Sequence, residues 1–240
     1  MVVVVWQTVK FPQKEVYIEE KENVPPESVV LAPGVGSSYK NGWRQLWKYF
    51  LELFLIGLIG AVIGVPSGMG GWLGGDAAAA VGILGFLGFV YGVLIVNPVD
   101  YGVSFAHLKA ARGDKLEIKD MFEAFRNYWN AVLANLLVGI IVMIGFVLLI
   151  IPGIIFACKL AFTPYLVVDR KMDVIGAVKE SWRMTNGHAW KVFLIGLLAI
   201  PITIAGLLCF GVGIIVSIMW IRLALASLYH SVSLSGEASS

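Results

Sequence analysis

The sequence predicts an all-α integral membrane protein: six transmembrane helices arranged as three hairpins, each preceded by an amphipathic interfacial helix, with a short strand-prone N-terminal arm. Three observations predict it. Hydrophobic residues make up 58% of the 240 and charged residues only 14%, against roughly 25% charged in a soluble domain. The apolar residues gather in runs of bilayer length, roughly 20 residues, which a soluble helix with one wet face would break with charge. Lys and Arg crowd into alternate loops and are missing from the others. The same composition excludes a coiled coil and a disulfide-stapled secreted domain, since Cys158 and Cys209 both lie inside apolar runs and read as packed thiols. A net charge of +2 is too small to point to nucleic acid.

Residues 1–40 read as a cytoplasmic polar arm and 41–240 as the membrane domain. In the arm, Val2 to Val9 and Val16-Tyr17-Ile18 have strand propensity and flank Pro12-Gln13. Gly34-Val35-Gly36 lacks the strand-turn-helix setting of a phosphate loop and reads as a joint. Trp43, Arg44, Trp47 and Lys48 then mix aromatic and basic character, as interfacial anchors do, and lead into span one, Leu51 to Val65. A Gly-rich loop through Asp76 precedes span two, Ala77 to Val99, closed by Asn97-Pro98. Span three is Ala131 to Ile151, with Ile151-Pro152-Gly153 as the turn into span four, Ile154 to Val168, which Lys159 and Pro164 interrupt. Val192 to Cys209 and Ile214 to Tyr229 are spans five and six.

Two loops carry the positive charge: Lys109 to Arg126 after span two, and Arg170 to Lys191 after span four. The positive-inside rule therefore places these loops and both termini of the multi-pass chain in the cytoplasm. The lead-ins before spans three and five repeat the pattern of the first. One carries Phe122, Phe125 and Trp129 on a helical face, with Asp120 as N-cap and Glu123 at capping-box spacing. The other has Asp173 as N-cap, Trp182 and Trp190 as anchors, and Gly187 as its stop. Such segments either lie in the membrane surface or pack under the bundle as a floor; both uses call for the same pattern.

Ile151-Pro152-Gly153-Ile154-Ile155, then Thr163-Pro164-Tyr165 with Asp169, then Ala177, Ser181-Trp182 and Gly187-His188, form a pattern that resembles poorly characterised multi-span prokaryotic membrane proteins, among them the family named after the membrane domain of glycerophosphodiester phosphodiesterases. The resemblance covers about Asp100 to Tyr229. It implies the membrane module without a phosphodiesterase domain, placed in a prokaryotic inner membrane, and it supplies no catalytic residues.

No HExxH or CxxC spacing accompanies His107, His188 and His230, so neither a metal nor another cofactor is expected, and no catalytic set can be assembled. The charged residues inside spans are Glu52, Lys159 and Arg222. Lys159 lies seven positions after Pro152 and Arg222 nine after Gly213, about 10 and 14 Å below the outer turns. At similar depth they are candidates for a shared anion or lipid site, with pairing to Glu52 or snorkelling as the structural alternative. Gly60, Gly64, Gly88 and Gly92 are helix-packing positions, serving the monomer, a homo-oligomer or a protein partner. The expected function is a non-catalytic membrane module that organises lipids or partner proteins, the partners engaging the glycine faces or the arm. The alternatives are a carrier or channel for an anionic lipid or small anion, or an intramembrane enzyme acting on lipid.

Overall fold

The computed structural model describes residues 33–68, 78–208 and 212–237. The strand-prone segments of the arm, the Gly-rich loop at 69–77 and Cys209 lie outside them. Among the described residues every regular element is a helix. Six helical stretches are long and apolar enough to cross a membrane: Phe50–Ser67, Ile83–Arg112, Ile118–Leu148, Ile150–Asp169, Ala189–Leu208 and Gly213–Gly236.

Helix α1, Val35–Lys48, buries Tyr39, Asn41, Gly42, Gln45 and Leu46 on one face and turns Trp43 and Trp47 outward. Its buried face is pinned to two distant segments, because the Asn41 amide donates to the Ala111 carbonyl at 3.0 Å and to Ser227 Oγ at 2.9 Å. Tyr39 donates from its hydroxyl to the Ile195 carbonyl at 2.9 Å. Burial pushes this phenol up to about 12, so it remains a donor across the physiological range. Gly42 lets the α1 backbone approach Leu223 and Ala224, where a β-carbon would lie 3.1 Å from a main-chain nitrogen.

Helix α2, Phe50–Gly68, follows at once, and α3, Ala78–Tyr91, packs beside it. The next turn, Gly92–Val96, is wound as a π-helix, in which Asn97 N–H reaches the Gly92 carbonyl five residues back. Helix α4, Asn97–Arg112, continues from it. Asn97-Pro98 therefore does not close the second span. Pro98 has no N–H to give the preceding turn; the Leu94 carbonyl accepts instead from the Tyr128 hydroxyl at 2.8 Å, and the helix runs on. It stops at Gly113, whose φ of 85° opens the left-handed turn that closes the helix.

The lead-in to the third span is a 3₁₀ segment, Ile118–Asn127. Its N-cap is Glu117 rather than Asp120. Asp120 sits at the third position, accepting from the Glu117 N–H at 2.8 Å while also holding Lys109 at 2.8 Å. The capping pair is thus shifted by one turn from the expected Asp120 and Glu123, because the long-range ion pair settles which carboxylate faces inward.

Helix α5, Tyr128–Leu148, ends at Leu149, a single extended residue, and α6, Ile150–Leu160, starts immediately. The reversal comes before Pro152-Gly153, which both lie in the first turn of α6, where the missing proline N–H costs nothing. Gly145 and Gly153 allow the crossing: a β-carbon on Gly145 would lie 2.9 Å from the Gly153 Cα. Helix α7, Thr163–Asp169, carries Pro164 in its first turn, so the fourth span is broken where the sequence expects. Asp173 caps α8, Val174–Met184, accepting from Gly176 N–H at 3.2 Å, and Gly187 adopts a φ of 78° beyond its end. Helices α9, Ala189–Leu208, and α10, Val212–Glu237, pack on each other, and α10 also packs on α1 and α4.

Burial is uneven along the bundle. Leu46, Ala106, Leu108, Leu166, Leu223 and Tyr229 are fully enclosed, all at the end that carries the basic loops. Toward the other end the helices expose apolar side chains, including Val62, Phe86, Phe89, Val147 and Leu208. In water such a belt would be unfavourable by roughly 25 cal/mol per Å²; against acyl chains it carries no such penalty.

Candidate functional site

The charged residues singled out inside the spans are not gathered together. Lys159 Nζ donates to the Asn186 side chain and lies 5.4 Å from the ring centre of Trp182. Arg222 Nη2 meets Asp100 Oδ1 at 2.7 Å. Glu52, in the first turn of α2, is half-buried and takes neither cation. Equal depth in the sequence did not become proximity, because the two basic residues turn toward different neighbours.

Arg222 and Asp100 stand instead at a cavity of about 330 Å³ walled by α2, α4 with its preceding π-turn, and α10. Each wall has a reason in its sequence. On α2 the face is Phe54, Gly57, Leu58 and Ala61, and at Gly57 a β-carbon would meet open space. On α4, Asp100, Val103 and His107 recur at three- and four-residue spacing and so share one face. On α10, Ile215, Ile218 and Met219 precede Arg222. The π-turn at Gly92–Val96 borders the same space through Val96; such turns recur at functional sites because they re-aim the residues that follow.

Asp100 lies about one turn past Val96 on α4, His107 two turns farther on, and Arg222 two turns past Ile215 on α10. On α4 and α10 the chain runs toward the basic loops, so Val96 and Ile215 mark the apolar end and His107 and Arg222 the other. His107 is fully buried, its Nδ1 lying 2.7 Å from the Val103 carbonyl. A carbonyl can only accept, so Nδ1 carries the proton and Nε2 the lone pair; among the described residues Nε2 has no partner. Arg222 alone of these three figures among the expected site residues. The repeat of Asp100, Val103 and His107 was the available signal, masked by the reading of Pro98 as a helix end.

A second hollow at the basic end is lined by Arg170, Glu180, Arg183, Asn186 and His188. Arg183 is committed there, gripping both Glu180 oxygens at 2.8 and 2.6 Å and holding that carboxyl below its usual range. The expected anchors Trp43, Trp47, Phe122, Phe125, Trp129, Trp182 and Trp190 are all exposed. Among the expected packing glycines, Gly88 and Gly92 face Ser67, Gly60 touches Val103 at 3.6 Å, and Gly64 has nothing within 4 Å. Closer approaches occur at Gly102, Gly145, Gly153 and Gly206, which sequence spacing did not single out.

Six apolar helices with a lipid-compatible belt define a multi-pass membrane protein. Within that class the chain belongs to the family described as Domain of unknown function (DUF7847), whose model matches residues 78–238. That match takes in α3 through α10 and leaves the α2 wall of the cavity outside it. The chain is similar to Uncharacterized protein Rv2560 of Mycobacterium tuberculosis (strain ATCC 25618 / H37Rv), 31% identical over 140 residues, 58% of this chain and 42% of that protein. Uncharacterized protein Mb2590 of Mycobacterium bovis (strain ATCC BAA-935 / AF2122/97) matches to the same extent. The aligned part of the chain thus spans well under half of these relatives' length. No solved structure matches the chain.

Proposed function

We propose that the protein is a non-catalytic membrane module that organises lipids, and that the cavity between α2, α4 and α10 holds a lipid molecule. The observation that carries this reading is the polarity gradient of the cavity, apolar from Ala61, Val96 and Ile215 and polar only around Asp100, His107 and Arg222. An amphiphile has that same gradient, and mostly apolar clefts with a few placed polar groups are what small ligands occupy. Basic loops beside this polar end support an orientation with both termini in the cytoplasm of a prokaryotic inner membrane. The headgroup would then sit at the depth of Arg222 and Asp100, with the apolar end of the cavity toward the outer face.

The exposed aromatics on α1, on the 3₁₀ segment and around α8 support three lead-ins lying at the membrane surface, each ahead of a helical hairpin. The likeness to the membrane domain of glycerophosphodiester phosphodiesterases supports a module separate from catalysis. Open space beside Gly64 and Gly85 leaves a face for a protein partner or a second copy. A carrier for anions has less support, since it needs an uncompensated cation at the cavity and Arg222 is neutralised by Asp100.

The test is lipid retention. Purified protein released from mixed-lipid nanodiscs should carry bound lipid in native mass spectrometry. Gly57→Leu, which places a side chain in the open space, should lose most of it while unfolding at the same temperature. Equal retention by that variant would remove the cavity from the reading.

A further inference from the structure

Arg112 grips both oxygens of Asp169 at 2.7 Å each. The pair at the cavity is different: Arg222 reaches one oxygen of Asp100 through one nitrogen. The second Asp100 oxygen and the remaining Arg222 N–H groups have no partner among the described residues. Both side chains are partly open, Arg222 at 37% and Asp100 at 50%. His107 lines the same cavity, with its Nδ1 held by the Val103 carbonyl.

Half-satisfied charges are costly at membrane depth, where neither water nor backbone completes them. Their arrangement restricts what can complete them. The end is neutral overall, with a cationic donor and an anionic acceptor in direct contact. A purely anionic group would gain Arg222 and be repelled by Asp100 beside it. A purely cationic group would meet the reverse. A group carrying both signs a few bonds apart satisfies both.

We infer that the cavity selects a zwitterionic lipid headgroup, with a phosphate oxygen on Arg222, an ammonium on Asp100, and an acyl chain running past Gly57 and Leu58 toward Val96 and Ile215. This selection rests on the lipid-holding reading and deepens it. It uses the cation–anion contact that a simple anion site would have to break.

The probes are nanodiscs containing equal amounts of phosphatidylethanolamine and phosphatidylglycerol, with the bound lipid identified after release of the full-length protein. The wild type should retain phosphatidylethanolamine over phosphatidylglycerol about tenfold, the worth of one charge-assisted hydrogen bond. Asp100→Asn should erase or reverse that ratio, and the exchanged pair D100R/R222D should keep it. Equal retention of the two lipids by the wild type, or an excess of phosphatidylglycerol, overturns the selection and needs no variant to fold. Gly57→Leu separates the two failures. If it lowers retention while no headgroup preference exists, only the selection falls; if retention is indifferent to it, the lipid-holding reading falls as well.

Discussion

Gly102 has no room for a side chain. Replacing a helical glycine by alanine ordinarily stabilises by about 0.5–1 kcal/mol, but a β-carbon on Gly102 runs into the Met121 carbonyl, which as main chain cannot swing aside. Gly102→Ala should therefore lose about 3 kcal/mol. Gly64→Ala, with open space around it, should be neutral or slightly stabilising. Thermal unfolding in detergent measures both, and a Gly102→Ala protein melting at or above the wild type would contradict the close approach of α4 to the 3₁₀ segment. A charged residue gives a second contrast. Asp169 is 14% exposed and accepts two bonds from Arg112 and one, at 3.4 Å, from the Tyr229 hydroxyl. Asp169→Asn should cost about 2 kcal/mol, because it leaves a largely enclosed guanidinium without its counter-charge. Lys119→Ala removes an exposed pair with Glu117 and should leave the unfolding temperature unchanged.

At the scale of elements, two interruptions are mended from elsewhere in the chain. Pro98 deprives the π-turn of a donor, and Tyr128 on α5 supplies one to Leu94. Tyr128→Phe should cost about 1 kcal/mol. In a Pro98→Ala background, where an N–H returns to that turn, the same change should cost much less. A double-mutant cycle with additive effects would show that the proline and the tyrosine are not linked. The break between α6 and α7 is mended likewise from α8. Ser181 accepts from Phe162 N–H at 3.2 Å and donates to the Lys159 carbonyl at 2.9 Å, and Thr185 donates to that carbonyl at 3.1 Å. Ser181→Ala strands a buried N–H and should destabilise by about 1–3 kcal/mol. Hydrogen exchange would register it as faster exchange at Phe162, whereas unchanged exchange there would mean the amide finds another acceptor.

Across the whole molecule, buried residues gather at the basic end and exposed apolar ones toward the other. A bundle built this way is held by protein contacts at one end and bathed in lipid over the rest. The orientation proposed for it predicts opposite accessibility for cysteines introduced at Ser67 and at Lys115. Only the Ser67 site should react with an impermeant thiol reagent applied to intact spheroplasts, and both should react once the membrane is opened. Reaction at Lys115 in sealed spheroplasts would reverse the assignment of sides.

The sequence by itself determined the class and the number of spans. Hydropathy over about 20 residues is a local sum, and the bilayer reads it directly. Local rules also reached Asp173 as a cap and the break around Pro164, since each depends on residues within one turn. Tertiary structure decided what local sums cannot contain. Pro98 reads as an end until a tyrosine thirty residues on completes its turn. Asp120 reads as a cap until Lys109 draws it to another place. Lys159 and Arg222 have matched depths, but depth leaves out rotation about each helix axis and the identity of the facing helix. Those two variables placed Lys159 beside Asn186 and Arg222 beside Asp100. The cavity exists only where Gly57, the π-turn and the last helix meet, and the packing of three separated segments created it.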